Sequence, residues 1–254
     1  MYHKILSNFR KTIRILLQQL GYEIRKYPSN LSRRISIFDL VINLLQNTSR
    51  EVSFIQIGGN DGIYVDPIRK YYVNNQKWKG YIFEPNPEIF EKLRSNLKEV
   101  KVRITPISKA VSDKDSYEFL FVQNPETRNF ASEISSLESR TFMKQKDIGA
   151  KYKKVKVETC KLDTFCEQNK IHNIDLLQVD TEGHEYTIIM DLNLENIKPR
   201  VIQLEIGHLN IRQLNKIVHK LQSYGYFLHW GGHDGDLICI KQQFLESLGI
   251  VASN

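Results

Sequence analysis

Cysteine is scarce in this 254-residue chain: there are three, Cys160, Cys166 and Cys239. An odd number with no zinc-type spacing excludes a disulfide scaffold and a zinc site, and leaves reduced packing thiols. Long apolar runs are missing. None approaches the roughly 18 to 20 residues that span a bilayer. The first residues also lack the continuous apolar core and small-residue cleavage site of a secretory signal, so a cytoplasmic protein is expected. Internal repeats and low-complexity tracts are absent. So is any charge imbalance over most of the length: residues 35–254 carry 28 basic and 28 acidic side chains. With no basic stripe there and no interleaved aromatic platform, nucleic acid is not an expected partner.

The imbalance that exists is confined to one end. Residues 1–34 hold eight basic side chains against the single acid Glu23, a surplus equal to the chain's whole formal net charge of +7. In the same stretch Tyr2, Leu6, Phe9, Ile13, Leu16, Leu17 and Leu20 recur at three- and four-residue steps. That is the mark of one helical face, with Gly21 a plausible stop. The stripe suits packing on the body or on a second subunit. With basic residues mostly off the stripe, it also suits a helix lying on an anionic membrane surface. Residues 2–20 are therefore expected to mediate either dimerisation or peripheral contact with the inner membrane face. "PSN" at 28–30 reads as a linker, and a second helix is expected from Ile35 to Gln46. The chain divides into a basic helical arm, 1–48, and a body, 49–254.

The body alternates. "EVSFIQIG", "GYIFEP", "KVRITPIS", "IDLLQVD" and "RVIQLEIG" read as strands, each separated from the next by a segment of helical periodicity or, before "IDLLQVD", by two further strands. Those two, "SYEFLFVQ" and "KKVKVETC", bracket a polar stretch. "YFLHW" and "GDLICIK" close the chain across a short Gly-rich connection. Such alternation predicts an α/β fold, a largely parallel sheet with helices on both faces. The apolar strands "FIQI", "DLLQV" and "VIQLEI" belong at its centre, and the last two strands form an antiparallel hairpin at one edge.

In such sheets ligands sit outside the carboxyl ends of the strands, and here those ends are polar. The first runs into Gly58-Gly59-Asn60-Asp61-Gly62, and glycine lets a ligand approach the backbone closely. The second ends in Glu84, about 25 residues on, where a carboxylate can accept from both hydroxyls of a ribose. The fourth ends at Asp180 in "VDTEGHE" and the fifth at Glu205 in "LEIGH". Each piece alone reads equally well as a turn or a helix cap. Together they point to a nucleoside. The dinucleotide pattern G-x-G-x-x-G is absent: the third glycine falls one position early, and Asp61 brings an acid where a pyrophosphate would sit. An acid suits a cation, and S-adenosylmethionine carries a sulfonium and an amino group but no phosphate.

"FIQIGGNDG", "YIFEPNPEIFEKLRSN", "ISKAVSD", "IDLLQVDTEGHEYTII" and "VIQLEIGHLN" resemble, in order, the motifs of the FkbM-type S-adenosylmethionine-dependent methyltransferases. The resemblance covers about residues 50–240; the arm lies outside it. It implies a Rossmann-like class I methyltransferase fold with a mostly parallel seven-stranded sheet, and methylation of oxygen in sugars, glycolipids, polysaccharides or small secondary metabolites. Carried over, Gln56, Gly58, Gly59, Asn60 and Asp61 border the methionine and ribose. Glu84 and Pro85 hold the ribose, Ala110 and Val111 border the adenine, and Asp180 approaches the methionine end. Gln56 departs from the pattern, since many methyltransferases have an acid there. His208 is the expected base, with Asp180, Glu182 and Glu205 as alternatives. Those three carboxylates could instead hold a divalent cation such as Mg²⁺ that gathers two sugar hydroxyls. His184 reads equally as a surface residue. Residues 129–149 are placed to cover the pocket, with serines that bind the acceptor or are simply solvated. A nicotinamide-dependent oxidoreductase and a non-catalytic binding or scaffolding domain are the competing readings.

Overall fold

The computed structural model describes residues 36–49, 51–64, 66–123, 135–137, 152–230 and 236–250. The expected arm helix over residues 2–20 lies outside them, as does most of the segment 129–149. The first described element is helix α1, Ile37–Thr48. Ser36 caps it by accepting from the Asp39 amide at 2.9 Å, as hydroxyl caps do. Phe38, Val41, Ile42 and Leu45 form its buried face. They share a core with Val52, Phe54, Tyr72 and Trp78 of the body, so this helix packs on the sheet.

The sheet has seven strands. In chain order they are β1 (Val52–Ile57), β2 (Trp78–Phe83), β3 (Ile104–Ile107), β8 (Leu176–Val179), β9 (Val201–Leu204), β10 (Tyr226–Trp230) and β11 (Leu237–Lys241). Their spatial order is β3-β2-β1-β8-β9-β11-β10. The order reverses direction at β1, so the β1 and β8 ends flank the switch point where ligands bind in doubly wound folds. β1, β2, β3, β8 and β9 run parallel, and β11 is antiparallel to both β9 and β10. The seven strands and the antiparallel edge hairpin are those the letters imply.

Because successive side chains in a strand point to opposite faces, the apolar central strands build two cores. Ile55, Leu177 and Ile202 face one. It is covered by α4 (Leu162–Gln168), α5 (Glu185–Asp191) and α6 (Ile211–Ser223). Phe54, Leu176 and Val201 face the other. That core is covered by α1, α2 (Arg69–Asn74), α3 (Pro87–Asn96) and α7 (Gln242–Ser247). Helix α2 is shorter than the 65–75 periodicity suggests: the chain turns just before it, where Asp66 accepts from the Ile68 and Arg69 amides.

The two further strands that bracket the polar stretch stand apart from this sheet. β5 (Ser116–Gln123) and β7 (Tyr152–Cys160) do not join the main sheet. With β4 (Ala110–Val111) and β6 (Ser135–Ser136) they form a second sheet, ordered β4-β7-β5-β6. Its inner face, Leu120, Val122 and Val157, packs with Ala110. Its outer face pairs aromatics with lysines: Lys154 lies over Phe121 and Lys156 over Tyr117. This sheet walls the ligand end of the main one.

Candidate active site

A cleft of about 220 Å³ opens at the carboxyl ends of β1, β2 and β8, closed on one side by the second sheet. Ten of the anticipated residues line it: Gln56, Gly58, Gly59, Asn60, Glu84, Pro85, Ala110, Val111, Asp180 and Glu182. Asp61, Glu205 and His208 do not.

The glycine stretch is explained by its neighbours. Gly58 has φ +86°, and a Cβ there would sit 1.7 Å from the backbone oxygen of Asp180. No side chain fits, so the β1 loop and the β8 loop pass in direct contact. A Cβ on Gly59 would meet Ile82 Cγ2 at 2.1 Å. The loop that results presents backbone to the cleft. Glu84 fastens it. The carboxylate, 4% exposed, accepts from the Asn60 amide at 3.0 Å and from the Asn86 amide at 2.8 Å. It thus ties the glycine loop to the start of α3, whose cap is Asn86. Its place beside the loop suits a pair of vicinal hydroxyls.

Asp61 has a different task from the one its position suggests. Its Oδ1 accepts from the Ile63 amide at 2.8 Å and from the Tyr64 amide at 2.7 Å. This is an Asx-type turn that shapes the loop from within. The acid that faces the cleft is Asp66, which also accepts from Tyr72 Oη at 2.9 Å and from Gln56 Nε2 at 3.3 Å. Burial raises the Asp66 pKa against those hydrogen bonds.

The "DTEGHE" turn follows the same logic. Glu185 is fully buried and accepts from the Thr181 amide at 2.7 Å, the Thr181 hydroxyl at 2.8 Å and the Gly183 amide at 3.0 Å. It is the turn's internal anchor. The turn holds Glu182 at φ +57°, a left-handed backbone that costs a residue with a side chain roughly 1–3 kcal/mol. Glu182 lines the cleft and reaches His208, whose Nε2 lies 2.8 Å from Glu182 Oε2 and 3.4 Å from Glu205 Oε1. The Glu182 hydrogen bond raises the His208 pKa, and desolvation opposes it. Burial is also the main cause that pushes the Asp180 and Glu205 pKa values up; the Asp180 charge adds to it at Glu205, while the charges of Glu182, Glu185 and Asp236 add to it at Asp180 against the lowering effect of Glu205. The rise is larger at Glu205, which favours the protonated acid there. Ligand atoms of Glu182, Glu205 and His208 lie within 4.8 Å of one another; Asp180, expected in a cation set, is outside that trio.

At the other end Ala110, Val111, Phe83, Leu120 and Leu137 give an apolar slot. Ser135 and Ser136 line the cleft beside it, the described part of the segment expected to cover the pocket. His184 is buried and also lines the cleft, its Nε2 3.1 Å from Ser112 Oγ.

The sequence reading passed over one feature. Gln56, Gln178 and Gln203 stand in register on β1, β8 and β9. Their exposures are 1%, 2% and 1%, and the Oε1 of each has no hydrogen-bond partner. A buried orphan carbonyl costs roughly 1–3 kcal/mol, so a row of three inside otherwise apolar strands is unusual. Gln56 and Gln178 line the cleft. The signal was available: each is the single polar letter in the last four residues of its strand, two residues before Gly58, Asp180 or Glu205.

Hexuronic acid methyltransferase AglP of Haloferax volcanii is 20% identical over 171 residues, 66% of this chain and 62% of that one. The chain thus matches less than two thirds of that relative's length. Among solved structures, a precorrin-6y C5,15-methyltransferase from Geobacter metallireducens aligns over 84% of this chain and 91% of its own, with 14% identity and a TM-score of 0.42. The N-terminal domain of human METTL16, in complex with SAH, aligns over 89% and 77%, with 14% identity and a TM-score of 0.39. The methyltransferase FkbM domain matches residues 56–228, from the buried glutamine of β1 to the edge strand β10. This chain belongs to the FkbM methyltransferase family.

Proposed function

We propose that the chain is an S-adenosylmethionine-dependent O-methyltransferase whose acceptor is a hydroxyl of a sugar in a glycan, a glycolipid or a secondary metabolite. The observation that carries the cofactor reading is Glu84: a buried carboxylate at the end of β2, held by two backbone amides beside a glycine loop. The acceptor class rests on the family and on the name of the AglP relative.

Bound S-adenosylmethionine supplies a methyl group already activated on a sulfonium. The chain's own residues have to hold both partners in line and take one proton, and alignment accounts for most of the rate. Ala110 and Val111 offer an apolar surface to the adenine. Glu84 and the Asn60 backbone bind the ribose, with Pro85 beside them. Gly58 and Gly59 let the ligand lie against backbone, and Gln56 and Asp180 border its methionine end. For the acceptor proton, Asp180 and Glu182 face the cleft, with Glu205 and His208 hydrogen-bonded behind them. His208 therefore serves as a base through Glu182 rather than by direct contact. Glu182, Glu205 and His208 are also the set open to a divalent cation such as Mg²⁺, and assays with and without EDTA decide whether one is needed.

Calorimetry with S-adenosylhomocysteine tests the reading. Binding in the micromolar range is expected, about 8 kcal/mol, and Glu84→Ala should weaken it ten-fold or more. Unchanged affinity in the variant overturns the ribose assignment. Binding of NAD in place of S-adenosylhomocysteine would mean an oxidoreductase, and binding of neither would mean a scaffolding domain.

A further inference from the structure

The glutamine row gives the cleft a pair of acceptors that nothing in the protein uses. Gln56 is fixed end for end: its Nε2 donates to Asp66 Oδ1 at 3.3 Å, so its Oε1 must point elsewhere. Gln203, two strands away, is fixed the same way by Asp236 at 2.9 Å. Gln178 sits between them in register. The Oε1 atoms of Gln56 and Gln178 are both buried, both without a partner, and both on residues that line the cleft. Two unpartnered carbonyl oxygens on neighbouring strands of one cleft wall call for a group that donates several hydrogen bonds and accepts none. A primary ammonium fits that description; a carboxylate or a phosphate does not.

Position narrows the choice. The apolar slot is made by β4, β5 and the end of β2, Glu84 follows β2, and the glutamines stand on β1 and β8, the next strands in the sheet. The two inter-strand spacings from β2 to β8 span roughly 10 Å, and with the slot beyond β2 they suit an extended nucleoside with an amino-acid tail. Resting on the cofactor reading above, we infer that Gln178 is a cofactor-binding residue, and that its Oε1 and that of Gln56 accept from the ammonium of the cofactor's methionine moiety. Recognition of the ammonium then falls to two neutral amides, beside the Asp180 carboxylate that borders the same end. It follows that the two residues sense the amino group alone and contribute nothing to the nucleoside.

The test compares three ligands by calorimetry: S-adenosylhomocysteine, its analogue lacking the amino group, and 5′-methylthioadenosine, which lacks the whole amino-acid tail. Native protein should bind the first ten-fold or more tighter than the second. Gln178→Leu should lose most of that preference while holding 5′-methylthioadenosine within about two-fold. Gln178→Glu, which keeps the acceptors, should retain the preference. Because leucine removes an unpaired buried carbonyl, ligand-free Gln178→Leu should unfold at the same temperature as native protein or higher, which shows that lost binding is not lost folding. A Gln178→Leu variant that weakens all three ligands alike, or none, overturns this assignment and leaves the cofactor reading standing. Native protein that binds none of the three overturns both.

Discussion

Asp180 and Glu205 cannot both carry charge at the buried end of β8 and β9 without mutual cost. Desolvation and repulsion raise both pKa values above the ordinary carboxylate range, so the folded protein holds a proton that the unfolded chain releases near pH 4. Raised folded values mean that the folded state binds more protons than the unfolded one, so stability falls as pH rises. The contribution is fully present below about pH 4 and is lost as pH rises through the folded values, and His208 acts in the same sense. Ligand-free protein should therefore melt at a lower temperature at pH 8.5 than at pH 6. Glu205→Gln, which keeps the hydrogen bond to Asp180 without a titrating proton, should flatten that slope and raise the pH 8.5 midpoint. Thermal unfolding across the range checks it, and an unchanged slope in the variant would show that the pair does not share a proton. At this scale the strand ends were legible. Gly58, Glu84 and Asp180 announce themselves as polar or glycine letters closing apolar runs. Asp61 and Asp66 were not separable, because which acid turns inward depends on a local Asx turn that spacing does not encode. Gln178 was overlooked because a single amide in a buried strand reads as noise until three strands are laid in register.

Helices and strands were read well where periodicity and partner are both local, and poorly where the partner is distant. Helix α1 shows the first case: apolar residues at 38, 41, 42 and 45 mark one face, and that face is buried on the sheet. Its weight in the fold can be measured. Leu45 is fully buried, so Leu45→Ala should cost about 2–5 kcal/mol in denaturant unfolding. Affinity for S-adenosylhomocysteine should stay within two-fold, since α1 contributes nothing to the cleft. A loss below about 1 kcal/mol would make α1 an appendage to the body instead of part of its core. The second sheet is the opposite case. The period-2 patterns of β5 and β7 identify strands, but the same pattern would serve an edge of the main sheet. Their pairing spans more than two dozen residues of intervening chain, and the choice of partner follows from a small separate core around Leu120 and Val157. That choice matters for function, because Leu120, Ser135 and Ser136 thereby become cleft wall.

For the whole molecule the question is where the surplus charge acts. Residues 35–254 are neutral in balance, and all of the +7 lies within residues 1–34, outside the described residues. Among the described residues no helix is long and apolar enough to cross a membrane. A stripe meant only for packing on another protein surface gains nothing from eight basic neighbours. A surface of anionic lipid rewards both features, at about 1 kcal/mol per basic residue plus burial of the apolar side chains. If the acceptor is a lipid-linked glycan, attachment at the inner membrane face also raises its local concentration. The full chain is therefore expected to sediment with vesicles containing phosphatidylglycerol or phosphatidylserine at low salt, to be released at high salt, and to ignore neutral vesicles. A chain lacking residues 1–30 keeps Ser36 and the capped start of α1, so it should stay folded, bind S-adenosylhomocysteine unchanged and lose the vesicles. Light scattering on both forms separates the alternative. A dimer that becomes a monomer on truncation, in a protein that never bound anionic vesicles, would place the stripe at a subunit seam and refute the membrane role.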